Sequence, residues 1–166
     1  RASEVNVNDI LDDVLSLVAN QSLFHNIKIK KVFDQDLRAI IADETQLKQV
    51  FLNIILNAAQ AMDGNGKLTI ATLSDKKQIK VKITDTGPGI PPEVLAKLFS
   101  PFFTTKEKGT GLGLAISYGI IERHQGKIDV ETDLGKGTTF TITLPVIVNE
   151  EPTVDEAKAS VYGFKK

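Results

Sequence analysis

Residues 78–85 read QIKVKITD, a strict alternation that closes on an acid, and TGPGIPP follows at once. Ile79, Val81 and Ile83 share one strand face, while Lys80, Lys82 and Thr84 share the other. The same alternation sets Asp85 on the apolar face, where a carboxylate must be paired or hydrogen-bonded. Gly87 and Gly89 permit backbone approaches that a side chain would block. Pro88, Pro91 and Pro92 stiffen the same loop. The segment therefore specifies a half-buried strand, a rigid bare loop, and one buried acceptor at the loop's root. Locally, Asp85 can cap the loop by bonding the backbone two residues on. Functionally, it suits a flat ligand with N–H donors, such as an amino-purine.

The rest of the chain supplies layers around this strand. Asn8 to Val18 places Ile10, Leu11, Val14, Leu15 and Val18 at helical spacing. Residues 27–33 and 37–42 read as strands, and Asp43 to Met62 as a long helix. Gly64 to Gly66 reads as a turn, and 68–73 as the strand before 78–84. Helices are predicted over 92–99 and 110–124, and a hairpin over 127–132 and 138–144. The expected fold class is α/β: a two-layer sandwich of a mixed, mostly antiparallel sheet with helices on one face. A chain of 166 residues suits one domain, over 1–145, followed by an acidic extension over 146–166 carrying Glu150, Glu151, Asp155 and Glu156. With no cysteine, disulfides and thiolate metal sites are excluded. A net charge of −1 gives no pull toward nucleic acid or an anionic membrane. No apolar run reaches membrane length and no secretory leader is visible, so a cytoplasmic location is expected. The start at Arg1, without methionine, marks an expected fragment of a longer protein, whose parent can be membrane-anchored.

Three further stretches carry chemistry. On the long helix, Leu47, Val50, Phe51, Ile54, Ile55, Ala58 and Met62 form one stripe. Asn53 and Asn57, four apart, stack on its shoulder beside Gln60. Amides there bond a neighbouring loop or form the polar rim of a pocket, with oxygens available to a hard cation. "GTGLGLAI", residues 109–116, opens a helix with Gly109, Gly111 and Gly113, and backbone amides at a helix start favour phosphate. It is neither a Walker loop nor a dinucleotide fingerprint, because Leu114 stands where the third glycine of the latter belongs. Between these stretches lies "KLFSPFFTTKEKGTG", whose phenylalanines can anchor a segment while Lys106 or Lys108 reaches phosphate.

In order and separation, "QVFLNIILNAAQAM", "DTGPGIP", "LFSPFFTTK" and "GTGLGLAI" resemble the N, G1, F and G2 boxes of the sensor histidine kinase catalytic and ATP-binding domain, a GHKL fold. "GKGTTFTITLP" resembles its closing strand. The "FFTTK" version is most similar to nitrogen-regulation-type kinases. The resemblance implies ATP as ligand and Mg²⁺ on Asn57. It implies an adenine acceptor in Asp85 and a base pocket shaped by Gly87 and Gly89, with Ile90, Thr138, Gln60 and Ala61 also among the ATP-binding residues. Thr105 and Lys106 fall in the lid, and Gly109, Thr110, Gly111, Leu112, Gly113 and Leu114 form its hinge and the phosphate-facing helix start. Asn53, Asn57 and Lys106 are the implied catalytic set.

Gln60 and Ala61 replace a Lys-Tyr pair common in other subgroups, so no lysine reaches phosphate from this helix. The acceptor-histidine motif is also missing. His25 lacks an adjacent acid, and His124 closes the last helix, where a positive charge suits the dipole. The expected function is therefore donation of the ATP γ-phosphoryl group to a histidine on a separate dimerisation domain, within a two-component phosphorelay that ends on a response regulator. The alternatives are a GHKL-type ATPase and a non-catalytic nucleotide-binding module. Asn53 argues against the ATPase, whose branch carries a glutamate there to activate water, so Asn53→Glu is expected to raise hydrolysis modestly.

Overall fold

The computed structural model describes residues 1–100 and 113–147. Seven strands and four α-helices run in the order β1 (Ala2–Val5), α1 (Val7–Val18), β2 (Asn26–Val32), β3 (Ile40–Asp43), α2 (Glu44–Ala61), β4 (Asn65–Ser74), β5 (Gln78–Asp85), α3 (Pro92–Leu95), α4 (Gly113–Arg123), β6 (Lys127–Asp133) and β7 (Gly137–Pro145). A 3₁₀ turn, Ser22–Phe24, follows α1.

The main sheet has the order β2-β4-β5-β7-β6. Only β2 and β4 pair in parallel, and the other neighbours are antiparallel. β1 and β3 form a separate antiparallel pair. Along β5 the alternation predicted from sequence holds: Ile79, Val81, Ile83 and Asp85 are buried. Facing positions Leu68 and Ile70 on β4, and Phe140 and Ile142 on β7, join them in one core with α1, α2 and α4. On the opposite sheet face the register sets Lys82 beside Ala71 and Thr141, and Lys80 beside Leu73 and Thr143. The helices thus occupy one face, as expected.

The helix starts follow their capping chemistry. Asn6 caps α1 by accepting the Asn8 N–H at 2.9 Å. Asp43 caps α2 by accepting the Gln46 N–H at 3.0 Å. Asn8 also ties α1 to the sheet: its Nδ2 donates to the Asp34 carbonyl, and its Oδ1 accepts the Thr72 hydroxyl.

Several boundaries differ from the expected ones. β1 has no clear sequence signal, because only Val5 of its four residues is buried. The predicted turn at 64–66 is partly strand: Asp63 and Gly64, with φ of 52° and 75°, make the reversal, and β4 starts at Asn65. The helix predicted over 92–99 ends as α-helix at Leu95. Residues 110–112 of the last predicted helix, and 148–166 of the predicted extension, lie outside the described residues. Val146 belongs to the body, since it is buried and its N–H donates to the Lys77 carbonyl.

Candidate functional site

Asp85 ends β5 with neighbours on both sides, Leu68 of β4 and Thr138 of β7. It is 4% exposed, and its Oδ1 accepts the Gly87 N–H at 2.8 Å. The local capping expected of an Asp two residues before a loop glycine is therefore realised. Burial raises its carboxyl above the usual carboxylate range, against the lowering pull of backbone hydrogen bonds from Gly87 and Thr138. A carboxylate has about four acceptor positions, so lone pairs remain for a further N–H donor.

The loop after Asp85 is bracketed from two sides. A side chain at Gly87 would place its Cβ 3.0 Å from Asp85 Oδ1 and 3.3 Å from the Ala61 carbonyl, so the loop runs against the end of α2. On the far side it meets the β6–β7 turn. Gly89 has φ +82°, and a Cβ there would lie 2.7 Å from the Asp133 carbonyl oxygen. Gly135 N–H donates to the Pro88 carbonyl at 2.7 Å, and Ile90 N–H to Thr132 Oγ1 at 2.8 Å. Thr132 and the buried Thr138 share a hydroxyl contact at 2.9 Å. Gln60 and Ala61, at the end of α2, are exposed. Asp85, Gly87, Gly89, Ile90 and Thr138 thus come together, beside the end of α2. Thr132 and Gly135 were missed from sequence, because their roles come from contacts with the distant loop at Pro88 and Ile90.

The second half of the site lies between α2 and α4. Asn53 Nδ2 donates to the Gly113 carbonyl at 3.1 Å and to Ser117 Oγ at 3.3 Å. Of the two sequence alternatives for this amide, the bond to a neighbouring segment is present. Asn57 follows one turn later and is half-buried, as is Leu114, which packs on the core. Ser117 was also missed; its signal is weak, a serine four residues after Gly113 able to bond back along the helix. Thr105, Lys106, Gly109, Thr110, Gly111 and Leu112 lie outside the described residues.

Among the described residues no three His, Cys, Asp or Glu side chains gather to hold a metal ion. One carboxamide on the rim fits a hard ion whose remaining ligands are phosphate oxygens and water, the habit of magnesium. It does not fit a dedicated protein cage. No helix among the described residues is long and apolar enough to cross a membrane.

The histidines also have clear places. His124 Nε2 accepts the Asp43 N–H at 3.1 Å, and Nδ1 faces the Ile120 carbonyl at 2.8 Å. His124 thus ties the end of α4, where the sequence put it, to the start of α2. His25 is exposed.

Residues 42–147 match the family described as histidine kinase-, DNA gyrase B-, and HSP90-like ATPase. The sensor histidine kinase ZraS of Salmonella typhi is 43% identical over 148 residues, which is 89% of this chain and 32% of the relative. The chain therefore spans about a third of that protein's length. The nucleotide-free catalytic domain of histidine kinase ThkA superposes with a TM-score of 0.79 at 37% identity, covering 87% of this chain and 97% of that domain. ThkA in complex with the response regulator protein TrrA matches with a TM-score of 0.76 at 34% identity, over 90% of this chain and 43% of that one.

Proposed function

We propose how a chain that belongs to the histidine kinase-, DNA gyrase B- and HSP90-like ATPase family puts this site to use: it binds ATP and donates the γ-phosphoryl group to a histidine on a separate dimerisation domain. The observation that carries the reading is Asp85, a buried carboxylate with spare acceptor capacity at the root of a bare, doubly bracketed loop.

In this reading Asp85 accepts the adenine amino hydrogen. Gly87 and Gly89 keep the wall free of side chains, so the base lies flat against backbone. The phosphates extend toward the start of α4, where Gly109, Gly111 and Gly113 supply backbone amides and Lys106 meets the γ end. Asn57 holds a magnesium ion through its carboxamide oxygen. Magnesium, when bound, neutralises phosphate charge. The acceptor imidazole attacks the γ-phosphorus, the bond to the β–γ bridging oxygen breaks, and ADP leaves. Such transfers rest on positioning and charge neutralisation, the two things these residues provide.

Asn53 supports kinase over hydrolase chemistry. Its amide donates to Gly113 and Ser117, and an amide is no general base for water. The "FFTTK" segment supports a nitrogen-regulation-type subgroup for the chain. The ThkA–TrrA complex supports a response regulator as the downstream partner. The dependence on cellular ATP supports a cytoplasmic place for this domain.

The test is radiolabelled γ-phosphate. The chain should bind ATP, take up no label alone, and label a helical-hairpin domain with an exposed histidine from the same parent protein. Transfer in trans should be weak, because the covalent link that raises effective concentration is absent. Acid-labile label on the chain alone, lost in His25→Ala or His124→Ala, would place the acceptor here and end the reading.

A further inference from the structure

Ser117 is 0% exposed and lies inside α4, beneath the part of the site assigned to phosphate. Its Oγ donates to the Gly113 carbonyl at 2.8 Å and accepts from Asn53 Nδ2 at 3.3 Å, while Asn53 Nδ2 reaches the same carbonyl at 3.1 Å. The three groups close a triangle. Both Asn53 amide hydrogens and the hydroxyl hydrogen are used within it.

A serine is a poor choice at this position on helix propensity alone. Alanine is the better helix former, and a serine that bonds back four residues weakens and bends its own helix. The hydroxyl must therefore return something beyond the helix. What it returns is a fixed first turn. Held from two sides, the Gly113 carbonyl cannot swing, and α4 is locked at one height along α2. Asn57 stands on α2 one turn beyond Asn53, so the same lock sets the spacing between Asn57 and Gly113, the first residue of α4.

We infer that Ser117 is a positioning residue for phosphoryl transfer: through Asn53 and Gly113 it fixes the start of α4 against the magnesium side of α2. The inference rests on the proposed reading of these two ends. It gives Asn53 the same job, as a clamp and not as a group that touches the reacting atoms.

The test compares ATP with adenosine, because only ATP reaches the start of α4. In the full chain Ser117→Ala should weaken ATP about three- to tenfold, the range of one lost buried hydrogen bond, and leave adenosine within about twofold. Amide hydrogen exchange should quicken in the first turn of α4 and stay unchanged near Arg123. The effect should vanish when Asn53 is already alanine, since the two act as a unit. Ser117→Cys, similar in volume with a weak donor, should fall between parent and alanine, and it carries the same comparison should Ser117→Ala not fold.

Unchanged ATP affinity, an equal loss for ATP and adenosine, or additivity with Asn53→Ala would overturn the role of Ser117 while the proposed function stands. A parent chain that binds neither ligand would overturn both.

Discussion

The two ends of the site are built from different materials. At the base end, backbone meets backbone: Gly87 against the Ala61 carbonyl, Gly89 against Asp133, Pro88 bonded to Gly135. Asp85, the acceptor of the proposed reading, sits in a wall that has little room to adjust. Toward the phosphate end, α2 and α4 are tied by side chains, one amide and one hydroxyl. A wall of backbone resists substitution by steric conflict, whereas a tie of side chains is undone one hydrogen bond at a time. On the proposed reading, the end that would recognise the flat base is fixed, and the end that would accommodate phosphates hangs on replaceable bonds.

The sharpest way to break the contrast is at Gly137. Its φ is +139°, and a Cβ there would lie 2.0 Å from the Asp85 carbonyl oxygen. Gly137→Ala should cost at least about 3 kcal/mol in denaturant unfolding, because backbone cannot retreat as a side chain can. A loss under about 1 kcal/mol would show the wall to be soft.

Next comes Asp85→Asn, which keeps the wall and alters its chemistry. A hydrogen bond to a charged group is worth about 1.5–3 kcal/mol, so ATP affinity should fall about ten- to hundredfold and preference over GTP should fade. Free of nucleotide, the same variant should be more stable than the parent near neutral pH. The sign follows from burial: the folded state holds the Asp85 proton more tightly than the unfolded chain, so stability is lost as pH rises above the ordinary value of 3.8 through the raised folded value. The variant's advantage should shrink to nothing below 3.8, and unfolding titrations across that window measure it.

Asn53→Glu probes the tie. A carboxylate is acceptor-only, so it would face the Gly113 carbonyl and Ser117 Oγ without a hydrogen to give. The modest rise in hydrolysis expected from sequence should therefore come with a stability loss of about 1–3 kcal/mol. A faster ATPase in a fully stable variant would show that the tie is dispensable.

The smallest effect belongs outside both ends. His124→Ala removes the acceptor for the Asp43 N–H and should cost about 1 kcal/mol while leaving ATP affinity unchanged.

How legible was this in the sequence? The strand alternation gave the buried side of β5 and the exceptional place of Asp85, because a period of two needs no partner to be read. The apolar stripe gave α2, and Asp43 gave its start. Segments whose meaning depends on a distant partner stayed hidden. β1 exists by pairing with β3, and the parallel β2–β4 register cannot be told from an antiparallel one by composition. Thr132, Gly135 and Ser117 likewise acquire roles only once residues 42 to 64 positions away arrive beside them. His124 was placed correctly at the helix end, but its tie to the backbone of Asp43, 81 positions away, stayed hidden.

The position of β7 inside the sheet has a consequence for how the protein comes into being. It is the last strand among the described residues, yet it lies between β5 and β6, and Thr84 meets Thr139 across 55 positions. Loop closure over such distances must come before the contacts that reward it, which slows folding. During synthesis β5 is left with one edge unfilled until almost the whole domain has emerged, and Asp85 has only half its walls. Nucleotide therefore has nothing to grip on a growing chain. On the proposed reading, ATP would report on completed folding, its binding stabilising only molecules that have placed β7.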